Sequence, residues 1–192
     1  MSGPTVAALY VETGGVYYGL DDVDPWDEAR DARLYAGPWP VVAHPPCTRW
    51  SKMGTCRGYY DGQDDGCFES AITAARRFGG VLEHPEHSLA WRTFGLAMPA
   101  SNGWTRSMLD DAWTCKVDQR NYGLPFRKPT WLYYVGNDPP ALVHHRGPVG
   151  AINSRGNVST ANNHHSERSR TPIEFRDVLL AMARSARAGG DG

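Results

Sequence analysis

Cysteine is scarce: the 192-residue chain holds four, at 47, 56, 67 and 115, and none stands in a CxxC pair. That excludes the disulfide-dense scaffold of a small secreted domain, and even with His84 or His87 added the spacings match no closed zinc-ligand pattern. Reduced thiols and no metal are the expectation. No apolar run approaches the roughly 18 residues of a membrane-spanning helix. The opening "MSGPTVAALYVETGG" has neither the basic region nor the long apolar stretch of a signal peptide. The reading is a cytoplasmic protein without a membrane partner, and no internal repeat is present.

What the chain does contain, 41% hydrophobic and 21% charged residues, suits a single compact domain with a genuine core. The net charge of -1 conceals an asymmetry. Residues 1–33 carry seven acids and two bases, whereas residues 120–187 carry ten bases and four acids. An anionic partner would meet the C-terminal half, although scattered arginines also suit an ordinary solvated surface.

Short apolar runs bounded by Gly and Pro, "TVAALYV" at 5–11 and "PVVAH" at 40–44, read as buried strands of a parallel sheet. "ESAITAARRF" at 69–78 sets Ile72, Ala75 and Phe78 at helical spacing, Gly79 and Gly80 stop it, and the strand "VLEH" follows. Strand, loop, helix and strand make a βαβ unit, the mark of α/β architecture. "TWLYYVG" at 130–136 is another strand, and the polar, basic stretch 144–170 reads as a long loop and contact surface. A C-terminal helix begins with Thr171 as N-cap and Pro172 at the first helical position, with Phe175, Val178, Leu179 and Met182 on one face.

Cys47 stands at the end of the 40–44 strand, where Pro45 and Pro46 restrict the backbone that presents it. Strand-end loops of parallel sheets are where ligands sit. A thiolate there is a strong nucleophile, and Arg49 and Lys52 are expected to lower its pKa. The alternative is a buried, inert cysteine. Gly54, Gly58, Gly62 and Gly66 make the following segment pliable enough to close over a ligand, or simply form turns.

These residues resemble a known family. Pro46-Cys47-Thr48-Arg49-Trp50-Ser51 is similar to the PCxxxS signature of DNA cytosine-5 methyltransferases, and "VLEHPEH", with Glu83-His84-Pro85, resembles their Glu-Asn-Val strand end. "VDQRNYGLPFRKPTWLYYVG" at 117–136 resembles their third signature, and phage-encoded relatives carry a similar "AHPPC". The resemblance covers residues 38–136. It implies a Rossmann-like, mostly parallel sheet with flanking helices, and for a phage-encoded chain the host cytoplasm as location. Cys47 would add to cytosine C6 and Glu83 would bind the N3/N4 edge. Lys128 and Thr130, with Arg127 between them, and Ser51 would complete the catalytic set. Thiolate addition at C6 makes C5 nucleophilic, and reaching C6 in a duplex requires extruding the base.

For S-adenosylmethionine the resemblance points to Tyr10, Thr13, Gly14 and Gly15 in "ALYVETGG", to Asp24 for the ribose and Trp26 for the adenine in "DPWDEARDARLY", and to Pro46. Two departures stand out. Gly15 and Cys47 are too close in sequence for the family's full set of cofactor strands, and no target-recognition domain fits between Gly136 and Thr171. DNA contacts would come from Arg49, Lys52, Arg146, Arg155, Arg168 and Arg170, or from a second subunit in a homodimer. Three functions follow: a cytosine-5 methyltransferase-like enzyme on DNA; a pyrimidine-modifying enzyme with the same Cys/Glu pocket but another donor or a nucleotide substrate; and a non-catalytic DNA-binding relative.

Overall fold

The computed structural model describes residues 3, 5–50, 64–144 and 170–186. Its strands are β1 (Val6–Leu9), β2 (Val23–Trp26), β3 (Val41–Ala43), β4 (Gly80–Pro85), β5 (Trp104–Arg106), β6 (Trp113–Asp118) and β7 (Pro129–Val135). The α-helices among the described residues are α1 (Cys67–Phe78), the single turn α2 (Ala90–Thr93) and α3 (Ile173–Ser185). All seven strands join one sheet in the order β2-β1-β3-β4-β7-β6-β5.

The fold is α/β, but the sheet is mixed rather than mostly parallel. β2, β1, β3 and β4 pair in parallel, and β4–β7, β7–β6 and β6–β5 pair antiparallel. Connection length explains the antiparallel run of β5, β6 and β7. Parallel neighbours need a crossover of a dozen or more residues. Residues 107–112 link β5 to β6 and residues 119–128 link β6 to β7 with only a 3-10 turn, so both connections fold straight back. β2 and β5, the sheet's two edges, and β6 were not anticipated; β2 carries Pro25, which an edge strand tolerates and which obscures the strand pattern.

Alternation along the strands divides the core between two faces. Ala7, Leu9, Val41, Ala43, Leu82 and Tyr133 pack against Phe68, Ala71, Ile72 and Ala75 of α1. Val6, Ala8, Val42, Val81, Leu132 and Tyr134 pack against Phe175, Leu179, Leu180 and Met182 of α3. Val178 is only partly buried against that face. The α3 N-cap is Pro172 rather than Thr171: its extended backbone precedes the helix and its carbonyl accepts the Arg176 N–H at 2.9 Å. Among the described residues no helix is long and apolar enough to cross a membrane.

Candidate active site

The chain leaves β1 for β2 on one side and then returns to the other side of β1 as β3. Such a reversal opens a crevice at the carboxyl ends of the strands, the usual ligand position in open α/β sheets. Tyr10, the segment from His44 to Cys47, and Glu83 lie at the carboxyl ends of β1, β3 and β4.

Glu83 is buried, and each of its carboxylate oxygens has a hydrogen-bond partner. His44 Nδ1 lies 3.0 Å from Oε2, and Gln119 Nε2 donates to Oε1 at 2.9 Å. Gln119 also donates to the buried Thr130 hydroxyl at 2.9 Å, which in turn donates to the Lys128 carbonyl at 3.1 Å. Tyr17 Oη lies 2.8 Å from the other His44 nitrogen, Nε2. Register accounts for the central contact: Val42 pairs with Val81 and Ala43 with Leu82, so one further step sets His44 beside Glu83. Burial would raise the Glu83 carboxyl. The His44 hydrogen bond and the charges of Lys128, His44 and His84 outweigh it and hold Glu83 at about 2, an ionised acceptor.

Cys47 is exposed at the mouth of this network. Its carbonyl accepts the Trp50 N–H at 3.0 Å, opening a 3-10 turn over Thr48–Trp50. Trp50 is the anchor: its indole N–H donates to Asp64 at 2.8 Å, and Asp64 also accepts the Phe68 N–H in the first turn of α1. The described surroundings raise the Cys47 pKa rather than lower it. Partial desolvation by the surrounding protein and the nearby Glu83 carboxylate raise it, while Lys128 pulls it down. Arg49 is half-buried in the Thr48–Trp50 turn, and Lys52 and Ser51 lie outside the described residues.

The structure sorts the third-signature residues. Lys128 acts on both Glu83 and Cys47 electrostatically, and Thr130 reaches Glu83 through Gln119. Arg127 does not sit between them. It is exposed and turned to Asp118, Nε to Oδ2 at 3.1 Å. Tyr17, His44 and Gln119 were missed by sequence reasoning. Laying "VVAH" beside "VLEH" as parallel neighbours would have found His44; nothing local marks the other two.

The residues expected to hold S-adenosylmethionine are engaged with one another. Asp24 accepts the Trp26 indole N–H at 2.8 Å and pairs with Arg30. That guanidinium lies over the Trp26 ring, 4.1 Å from its centroid. Thr13 donates instead to Asp27 at 2.8 Å, as does Tyr18 at 2.6 Å. The Tyr10 hydroxyl pairs with Ser70. The turn through Gly14 and Gly15 closes on itself, and a Cβ on Gly15 would meet the Glu12 carbonyl at 2.9 Å. Pro46, beside Cys47, is exposed. As arranged, the acid expected at the ribose pairs with Arg30, and the same guanidinium covers the ring expected at the adenine.

Of the arginines expected on DNA, Arg146, Arg155 and Arg168 lie outside the described residues, as do Gly54, Gly58, Gly62 and Cys56. Arg170 is exposed and lines a cleft of about 460 Å³ with Val16, Tyr122, Phe126 and Ile173. Among the described residues no cluster of three His, Cys, Asp or Glu is placed to hold a metal ion. Comparison with protein-family models, curated proteins and solved structures finds no match.

The site imposes a pH dependence on stability. His84 is buried edge-on to Phe68, ring centroids 5.2 Å apart, and burial lowers its pKa from 6.5 to about 4 against the pull of Glu83. Glu83 is lowered from 4.5 to about 2. Each group binds fewer protons folded than unfolded across its interval, so stability rises with pH there. Denaturant midpoints are expected to hold above about pH 7. They should fall between 6.5 and 4 as His84 resists protonation, then between 4.5 and 2 as the Glu83 contacts are lost. Each step is worth on the order of 3 kcal/mol. A midpoint unchanged from pH 7 to 3 would contradict both.

Proposed function

We propose that this chain is a cytosine-modifying enzyme acting on DNA, of the cytosine-5 methyltransferase type in its base-handling half. The observation that carries the reading is the pairing of an exposed strand-end thiol, Cys47, with a buried carboxylate, Glu83, fixed as an acceptor on the adjacent strand. The parallel order β2-β1-β3-β4, reversing at β1, supports a truncated Rossmann-like, methyltransferase-type sheet without a target-recognition domain. Glu83 would accept from the cytosine amino group. The Cys47 sulfur would bond to C6 while the C5–C6 π pair shifts toward C5 and N3 and a proton settles on N3. C5 then takes an electrophile from a donor, whose leaving group departs with the bonding pair. Water removes the C5 proton, the C–H pair re-forms C5–C6 as the C6–S bond breaks and the thiolate leaves, and N3 gives its proton back.

A second reading, the same chemistry with another donor or on a free nucleotide, is favoured by the clasp of Arg30 on Asp24 and Trp26. One experiment separates the two. Nucleosides from DNA co-expressed with the protein are analysed by mass spectrometry, alongside exchange of the C5 hydrogen of dCMP and of a cytosine oligonucleotide in deuterated water. Exchange needs only addition at C6, so it requires no donor. A modified deoxycytidine, with exchange on the oligonucleotide that weakens with salt, is the expected result. Exchange on dCMP alone favours the nucleotide, and no exchange on either defeats both readings.

A further inference from the structure

Tyr17 and His44 lie outside the signatures that carry the resemblance, yet they complete the Glu83 network. An ionised carboxylate can only accept, so His44 Nδ1 carries the hydrogen in its 3.0 Å contact with Glu83. In the neutral imidazole Nε2 is then an acceptor, and the Tyr17 hydroxyl 2.8 Å away donates to it. Tyr17 is 3% exposed, and burial together with the Glu83 charge keeps its hydroxyl protonated. When His44 gains a proton, the Tyr17 oxygen accepts from Nε2 instead, so both states of the ring are accommodated without moving it.

This arrangement meets a need the proposed reaction creates. Addition of the thiolate to C6 calls for a proton at N3, and the Glu83 carboxylate carries none of its own. We propose that Tyr17, His44 and Glu83 form a proton relay in which the His44 imidazolium supplies, through Glu83, the proton that N3 of the bound pyrimidine takes up. The relay rests on the cytosine reading above. The proton passes from Nδ1 to Oε2, the carboxyl delivers a proton to N3, and elimination of the thiolate returns it by the same path. His44 is a positioning residue in this scheme, since only Glu83 touches the base. The groups acting on the relay are Glu83 and His84 from β4, Cys47 after β3, Lys128 before β7, and Arg176 and Asp177 of α3 beside Tyr17.

The test is the pH profile of C5-hydrogen exchange on the substrate that the wild type accepts. The rate needs the Cys47 thiolate and a protonated His44 together, so with rising pH the gain in one offsets the loss of the other and the wild-type profile is expected to be flat. His44→Asn keeps an N–H donor near Nδ1 but carries no titrating proton. Its rate is expected to drop by about 100-fold and to rise tenfold per pH unit up to the thiol's titration. Tyr17→Phe should show a smaller loss at the same flat profile, and it tests the chain if His44→Asn does not fold. Carboxyl NMR gives a readout without turnover: Glu83 should titrate higher in His44→Asn than in the wild type. A His44→Asn profile as flat as the wild type's, or an unmoved Glu83 titration, overturns the relay. Absence of exchange in the wild type would instead overturn the cytosine reading on which it rests.

Discussion

Replacing Cys47 by serine is expected to abolish C5-hydrogen exchange, with a loss on the order of a thousandfold or more, because a serine hydroxyl is a far weaker nucleophile than a thiolate. The side chain is exposed and nearly isosteric with serine, so the unfolding free energy should stay within about 0.5 kcal/mol of the wild type. Glu83→Gln is expected to impair exchange strongly as well, but through a different balance. Glu83 accepts from both His44 and Gln119. An amide at 83 has one acceptor and one donor, so Gln119 must flip and give up its bond to Thr130. The variant should therefore lose about 1 kcal/mol of stability in addition to its activity. Exchange kinetics beside denaturant unfolding measure both. A Cys47→Ser protein that exchanges at the wild-type rate would reduce the thiol to packing.

The largest structural effect is expected at Gly80. Its φ of 116° is a conformation that side-chain-bearing residues rarely adopt, and a Cβ there would lie 2.0 Å from the Val41 carbonyl oxygen and 2.5 Å from the Val41 nitrogen. Both atoms belong to the backbone of β3, so no rotamer change relieves the overlap. Val41 is also the register partner of Gly80, and the two strands it joins carry His44 and Cys47 on one side and Glu83 on the other. Gly80→Ala should cost about 4 kcal/mol or more, a large fraction of the total stability of a domain of this size. Gly66→Ala is the control: φ is 77° there but the space is open, so only the backbone penalty of about 1–2 kcal/mol applies. Equal denaturation midpoints for the two variants would sink the close-approach argument.

Sequence alone determined the local elements wherever burial on both faces left a continuous apolar signature. β1, β3, β4 and β7 read in this way, and the helices α1 and α3 from their helical apolar spacing, with Gly79 and Gly80 marking the end of α1. It also marked Cys47 and Glu83, because Pro45, Pro46 and the strand ends are local features. Strand direction beyond β4 was decided by tertiary structure. β5 and β6 are short or half-buried, and only the pairing of β5 with β6 and of β6 with β7 shows that the chain folds back instead of crossing over. The same holds for the Glu83 partners, which come from the loop after β1, the end of β3 and the turn after β6. A buried carboxylate must have such partners. Which residues supply them depends on the strand order that brings those three loops to one end of the sheet.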